Sequence, residues 1–339
     1  MDLGVADTFV QWIRCLTSGL IARGQLRTIR FGSDRFYTAC GRKKQMALIR
    51  TLIDREQNHS EPGLPPGLRE LYDGDLPFRT SRGDRPFVIA NFVSTLDGVV
   101  SYGIKGQAGG STISGSDPAD RFIMGLLRAS ADAIIVGAGT VQAVGRQALW
   151  IPEYTYPDAK ELYTDYRVNV LHKPQYPLLV VVSGSGKLEL DRAIFQTPAV
   201  PMLVITTSAG RDALARAGAM KLPSVQIDAL EAQNGTIAPL AILRLLQEQH
   251  RVKRLLHEGG PTLFGQFLAA EAVDELFLTL SPQIAGRAPD SKRPAIVQGT
   301  EFMPQFAPRF QLLSAKQSAN HLYLHYQRTH ALAKSTGAD

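Results

Sequence analysis

The sequence predicts an α/β fold on a mainly parallel sheet, and three observations lead there. Short apolar runs rich in branched residues recur between positions 87 and 280. They are continuous rather than alternating, which marks strands covered on both faces. Segments with helical spacing fall between them, as in an α/β domain. The chain has 339 residues, 44% of them hydrophobic and 20% charged, enough apolar material for a sizeable core. No apolar run reaches the roughly 18 residues of a membrane-spanning helix.

The elements follow in order. Met46, Ile49 and Ile53 stand at helical spacing and predict a helix over Lys43–Gln57. Glu61–Gly67 (EPGLPPG) reads as a linker. Six strands are expected at Phe87–Val93, Asp132–Gly137, Leu178–Ser183, Met202–Thr207, Val252–Leu256 and Glu275–Leu280. Asp117 is a helix N-cap and Pro118 suits the first helical position, with the helix running to about Arg128. Further helices are expected at Pro239–His250 and at Thr262–Ala270, the latter opened by Pro261. Phe310–Tyr326 alternates and predicts antiparallel strands at a sheet edge. The domain division expected is a basic extension and linker over 1–67, a main domain over 68–330 and a tail over 331–339.

The net charge of +6 is concentrated at the start. Residues 1–60 hold ten Lys/Arg against five Asp/Glu. The rest is nearly neutral, so the pI of 9.3 argues poorly for nucleic-acid binding by the main body. The run Arg42-Lys43-Lys44 reads as a solvated face. The chain's two cysteines, Cys15 and Cys40, build neither a disulfide framework nor a cysteine-rich zinc site. A reducing, cytoplasmic setting is the expectation.

Three chemical signals sit at strand ends, where open α/β sheets bind ligands. In Ile134–Thr140 a strand runs into Gly137, Gly139 and Thr140. This suits close approach of a phosphate to the backbone, or simply a tight turn. The dinucleotide pattern GxGxxG is incomplete, because Gln142 holds the third glycine position. In Leu255–Leu263 a strand delivers Glu258, and Gly259 and Gly260 turn into a helix opening at Pro261, whose N-terminus suits an anion. Glu258 faces a substrate, caps backbone donors or is solvated. His257-Glu258 is no HExxH zinc motif, since Pro261 stands where the second histidine belongs. In Asn91–Gly98 the strand carries Asn91 inside an apolar run, then Ser94, Thr95 and Asp97. A buried Asn needs a backbone or ligand partner, and the following residues also suit an Asx-type turn.

These blocks, with Ile113-Ser114-Gly115, Leu127–Val141 and Glu258–Leu263 followed by Val273–Leu276, resemble the pyrimidine reductase of riboflavin biosynthesis, of the dihydrofolate-reductase-like family. The resemblance covers roughly 68–328. It implies a three-layer α/β/α domain with a central mixed sheet of eight or nine strands, a homodimer, NADPH as cofactor and a small-molecule substrate of the phosphoribosylamino-pyrimidine type. It places Gly137, Gly139 and Thr140 along the dinucleotide, and Gly259, Gly260 and Thr262 at its pyrophosphate. It places Asn91, Thr95, Asp97, Ser114 and Glu258 around nicotinamide and substrate, with Asp97 or Glu258 assisting proton movement. Ser183 and Thr207, helped by Lys187, are expected at the adenosine 2′-phosphate. No metal and no membrane is implied.

Two departures stand out. Bifunctional relatives carry a zinc deaminase with His-x-Glu and Pro-Cys-x-x-Cys, which Cys15 and Cys40 cannot supply. Riboflavin-pathway members usually follow the Gly-Thr-Val turn with Asp-Asp-Pro and a substrate-facing Thr and Arg. Here the chain reads Gln142-Ala-Val-Gly-Arg146-Gln-Ala-Leu-Trp150, where Arg146 either replaces a phosphate contact or is solvated. The readings left open are a reductase of the riboflavin type, a same-fold reductase of another pterin- or pyrimidine-like substrate, and a nucleotide-binding protein without catalysis.

Overall fold

The computed structural model describes residues 48–55, 63–79, 83–104, 109–233 and 235–329. Its strands are β1 (Arg50–Asp54), β2 (Phe87–Thr95), β3 (Ala133–Gly137), β4 (Leu178–Val182), β5 (Met202–Thr206), β6 (Val225–Ala229), β7 (Ala232–Gln233), β8 (Thr236–Ile237), β9 (Arg254–His257), β10 (Glu275–Ser281), β11 (Arg309–Ser318) and β12 (His321–Thr329). Among the described residues ten of these form one sheet, ordered β1-β11-β12-β10-β2-β9-β3-β4-β5-β6, and β7 and β8 pair as a small hairpin. From β10 to β6 every neighbouring pair is parallel. Antiparallel β12, β11 and β1 extend the other side. All six strands expected from the apolar runs are present, and so is the antiparallel edge.

Two-sided burial explains the continuous apolar runs. Along β2, Phe87 and Ile89 enter one core while Val88, Ala90 and Phe92 enter the other. The first core packs beneath the helix Pro118–Ser130, through Phe122, Leu126 and Leu127. The second packs beneath the helices Pro239–Glu248 and Pro261–Ala269, through Ile242, Leu246, Phe264 and Phe267. Helices thus cover both faces in a three-layer α/β/α arrangement. Asp117 caps its helix as its sequence position indicates, accepting the Asp120 N–H at 2.9 Å.

The start of the domain departs from expectation. Within Lys43–Gln57, where a helix is expected, Arg50–Asp54 is a strand, and positions 43–47, 56 and 57 lie outside the described residues. β1 pairs with β11, the Thr51 N–H donates to the Asp73 carboxylate at 2.7 Å, and buried Lys316 donates to Thr51 Oγ1 at 2.7 Å. Helical spacing over so short a segment does not exclude a strand that finds a partner edge. The compact unit therefore begins at Leu48 rather than after residue 67. The expected linker also changes character. Pro66 opens a helix, Pro66–Tyr72, that buries Leu68, Leu71 and Tyr72, since proline at the first helical position is as much a helix start as a breaker. Among the described residues no helix is long and apolar enough to cross a membrane.

Candidate active site

The short strand β9 creates the site. It ends at His257, paired to Ala90 of β2 and Ile135 of β3. β2 runs on to Thr95 and β3 to Gly137, so the sheet has a notch between them beyond His257. The chain visits β3, β4, β5 and β6 on one side before returning to β9, so the notch lies at a topological switch point, where such sheets bind ligands. Asn91 is the first β2 residue past the notch floor, and Glu258 follows the floor directly, its N–H donating to the Ile135 carbonyl at 3.0 Å.

Two cavities open from this notch and share Ser101, Thr140, Ala143, Gly260 and Pro261. The first, about 380 Å³, is bounded by Gly137, Gly139, Thr140, Gly184, Gly260 and Thr262. A Cβ added at Gly137 or Gly139 would meet no heavy atom within 4 Å, so these glycines leave bare backbone facing open space. One at Gly260 would meet Thr140 Oγ1 at 3.1 Å. Gly260 has φ −69°, an ordinary extended angle, so crowding rather than backbone strain limits substitution there. Gly259 serves packing as well: its Cβ would meet the His257 ring and Leu263 at 2.9 Å. His257 is fully buried against Phe92, Phe264 and Phe267, and its Nδ1 accepts the Gly259 N–H at 3.3 Å. Burial lowers its pKa to about 4, so the ring is neutral and holds the turn.

The second cavity, about 680 Å³, lies on the other side of the shared residues. Phe92, Val93, Leu149 and Trp150 give it apolar walls, and Asn91, Asp120, Arg121, Arg128 and Glu258 add polar groups. The Arg128 guanidinium donates to both Glu258 carboxylate oxygens, Nε at 2.9 Å and Nη2 at 2.7 Å. Its Nη1 donates to the carbonyls of Leu149 and Ile151, at 3.2 and 3.3 Å. Both side chains of this pair are nearly enclosed, so the carboxylate is held in one orientation at the cavity wall. Asp120 is buried with the Thr279 and Ser114 hydroxyls against its carboxyl, and burial raises its pKa to about 6.

The structure thus brings together Asn91, Gly137, Gly139, Thr140, Glu258, Gly259, Gly260 and Thr262. The other expected site residues line neither cavity. Asp97, expected to assist proton movement, is tied into a loop. Its carboxylate accepts the Thr95 hydroxyl at 2.5 Å and the N–H groups of Ala285 and Gly286. The Thr95 bond and these amides hold its pKa down at about 2. Thr95, expected at the substrate, is buried in the same turn, its hydroxyl also accepting the Val99 N–H at 3.0 Å. Ser114 is buried behind the cavity, while its neighbours Ser111, Thr112 and Ser116 line it. Thr207, expected at the 2′-phosphate, caps the helix Ser208–Arg216 and donates to the Gly184 carbonyl. Ser183 is buried and Lys187 lies outside, while Val182 and Gly184 on either side of Ser183 line the first cavity. Arg146 is paired with Glu189 and Asp191.

No sequence motif marks Arg128 or Asp120 as a site residue. The one available signal was a cation inside an apolar helical stretch, which must find an acid when buried. Nothing local announces that this acid lies 130 positions away.

A family model, the RibD C-terminal domain, matches residues 86–324. The chain belongs to the RibD C-terminal domain family. A relative from Archaeoglobus fulgidus, 2,5-diamino-6-ribosylamino-4(3H)-pyrimidinone 5′-phosphate reductase, is 28% identical over 221 residues, covering 65% of this chain and 89% of the relative. A pyrimidine reductase-like protein from Corynebacterium diphtheriae superposes with TM-score 0.55 at 21% identity, over 73% of this chain and 93% of that one. RibD from Acinetobacter baumannii gives TM-score 0.52 at 22% identity, over 73% of this chain and 59% of that one. The structural likenesses establish the shared fold. The family match covers the notch and both cavities.

Proposed function

We propose that this chain is a pyridine-nucleotide-dependent reductase of riboflavin biosynthesis, acting on a ribosylamino-pyrimidine 5′-phosphate. The observation that carries the reading is the meeting of the two cavities at Thr140, Gly260 and Pro261, beside Glu258. Hydride transfer needs two ligands held face to face with water excluded, and a bare-backbone cavity meeting an apolar one supplies that arrangement. The relative's name supports the substrate class.

In this reading the first cavity holds NADPH, which when bound supplies hydride from the nicotinamide ring to C1′ of the sugar. Gly137, Gly139 and Thr140 offer backbone and hydroxyl to the dinucleotide. Gly260 and Thr262, at the start of the helix Pro261–Ala269, face its pyrophosphate. No acidic side chain lines this cavity among the described residues, so nothing there repels a 2′-phosphate or grips a ribose 2′-hydroxyl as NAD sites do. Glu258, oriented by Arg128, accepts hydrogen bonds from the pyrimidine N–H groups, and Asn91 contributes a second polar contact. Trp150 and Phe92 wall the ring from water. The protein functions as a homodimer in this reading.

Incubation of the purified chain with the phosphoribosylamino-pyrimidinone and either NADPH or NADH tests the proposal. Reduced-nicotinamide absorbance is expected to fall in step with ribityl product, faster with NADPH. Product formation with neither cofactor would overturn the reading, and equal dissociation constants for the two would overturn the cofactor preference.

A further inference from the structure

The substrate of the reductase reading carries a phosphate, and the stretch that follows the Gly139-Thr140-Val141 turn, positions 142–150, supplies one cation, Arg146. Arg146, which stands in that stretch, has its guanidinium on Glu189 and Asp191 at the surface. The second cavity must therefore answer a phosphate from elsewhere. Among the described residues two cations line it, Arg121 and Arg128. Four of the five N–H donors of Arg128 are taken by Glu258 and the carbonyls of Leu149 and Ile151, and its charge is matched by the Glu258 carboxylate. The Arg121 guanidinium has no ion pair or side-chain hydrogen bond with any described residue, yet it is half-buried at the cavity wall.

A cation that is half-buried and unpaired gives up hydration without a partner. Arg121 and Arg128 both lie on the helix Pro118–Ser130 and face the same cavity, with Met124 between them. Seven residues of helix separate them by about 10 Å along the axis. That span suits a five-carbon sugar phosphate whose base sits at the Glu258–Arg128 end. Ser111, Thr112 and Ser116 line the same cavity and add hydroxyl donors.

We propose that Arg121, with the hydroxyls of Ser111, Thr112 and Ser116, forms the subsite for the substrate's sugar phosphate. The inference rests on the reductase reading given above. Asp120, the preceding residue, forms no ion pair with Arg121, and its carboxyl is buried toward Thr279 and Ser114 instead. The guanidinium suits a phosphate monoester because its planar fork donates two parallel hydrogen bonds to it.

The test uses the full chain and its Arg121→Met and Arg121→Lys variants, each checked by a melting curve. Binding of D-ribose 5-phosphate and of D-ribose is measured by calorimetry, and turnover is compared for the phosphorylated substrate and its dephosphorylated riboside. Arg121→Met is expected to weaken ribose 5-phosphate binding and raise the KM of the phosphorylated substrate by roughly tenfold to a hundredfold. The riboside's kcat/KM should stay the same, and Arg121→Lys should recover part of the loss. Equal losses for substrate and riboside, or unchanged ribose 5-phosphate affinity in folded Arg121→Met, would overturn the subsite. Binding of ribose 5-phosphate through Arg121 without reduction of any pyrimidine would keep the subsite and overturn the reductase reading. Reduction of the substrate unaffected by Arg121→Met would do the reverse.

Discussion

Replacing Arg128 by methionine separates what the buried ion pair does for stability from what it does for the site. Methionine keeps much of the aliphatic length but removes four donated hydrogen bonds, two to Glu258 and one each to Leu149 and Ile151. The Glu258 side chain is only 8% exposed, so its carboxylate stays enclosed without a counter-charge. Breaking one side of a buried pair costs about 3–5 kcal/mol, mostly from the charge left behind. For a domain of this size that is a fall in Tm of roughly 6–20 °C. Glu258→Gln alone should cost less, since the amide can still accept from Arg128. The double variant Arg128→Met with Glu258→Gln removes the stranded charge and should recover about 1–3 kcal/mol relative to Arg128→Met. Urea unfolding of the four proteins gives the coupling energy, and NADPH titration alongside it separates the two cavities. Glu258→Gln is expected to damage turnover more than cofactor binding. A loss below about 1 kcal/mol in Arg128→Met would be the value of an exposed pair and would refute the enclosed geometry.

Gly260→Val should weaken NADPH binding by more than about tenfold in a folded protein, because the new side chain crowds Thr140 Oγ1 at the junction of the cavities; unchanged affinity by calorimetry would remove the turn from the cofactor site. The folded-state pKa of Asp120, about 6, lies above its ordinary value of 3.8, so the folded chain holds this proton more tightly. This contribution makes stability fall as pH rises from about 4 to about 6, by on the order of 2–3 kcal/mol, and then level off. Asp120→Asn should flatten that slope in urea unfolding at the two pH values, and identical slopes would refute the assignment. Deleting residues 1–47 should leave cooperative unfolding intact, whereas deleting 1–60 removes β1 and strips Thr51 from buried Lys316; equal melting curves for the two truncations would show that β1 contributes nothing.

The central strands, their two-sided burial and the helix opening at Pro118 were legible in the sequence because each depends on local chemistry. Continuous branched apolar runs report burial on both faces, and an Asp-Pro pair reports a helix start. The glycines of the two turns and Glu258 were legible for the same reason, since each stands where a strand must end. The edge strand β1 was not, because its five residues gain their conformation from β11, more than 260 positions away. Only the tertiary structure separated Asp97 from Glu258. Both follow a strand and precede a glycine, yet Asp97 spends its lone pairs on its own loop and on Ala285 and Gly286, while Glu258 meets Arg128 across the notch. Strand order decided that notch: β9 stops short between two longer neighbours, and a sequence read along one dimension does not say which strands those neighbours are.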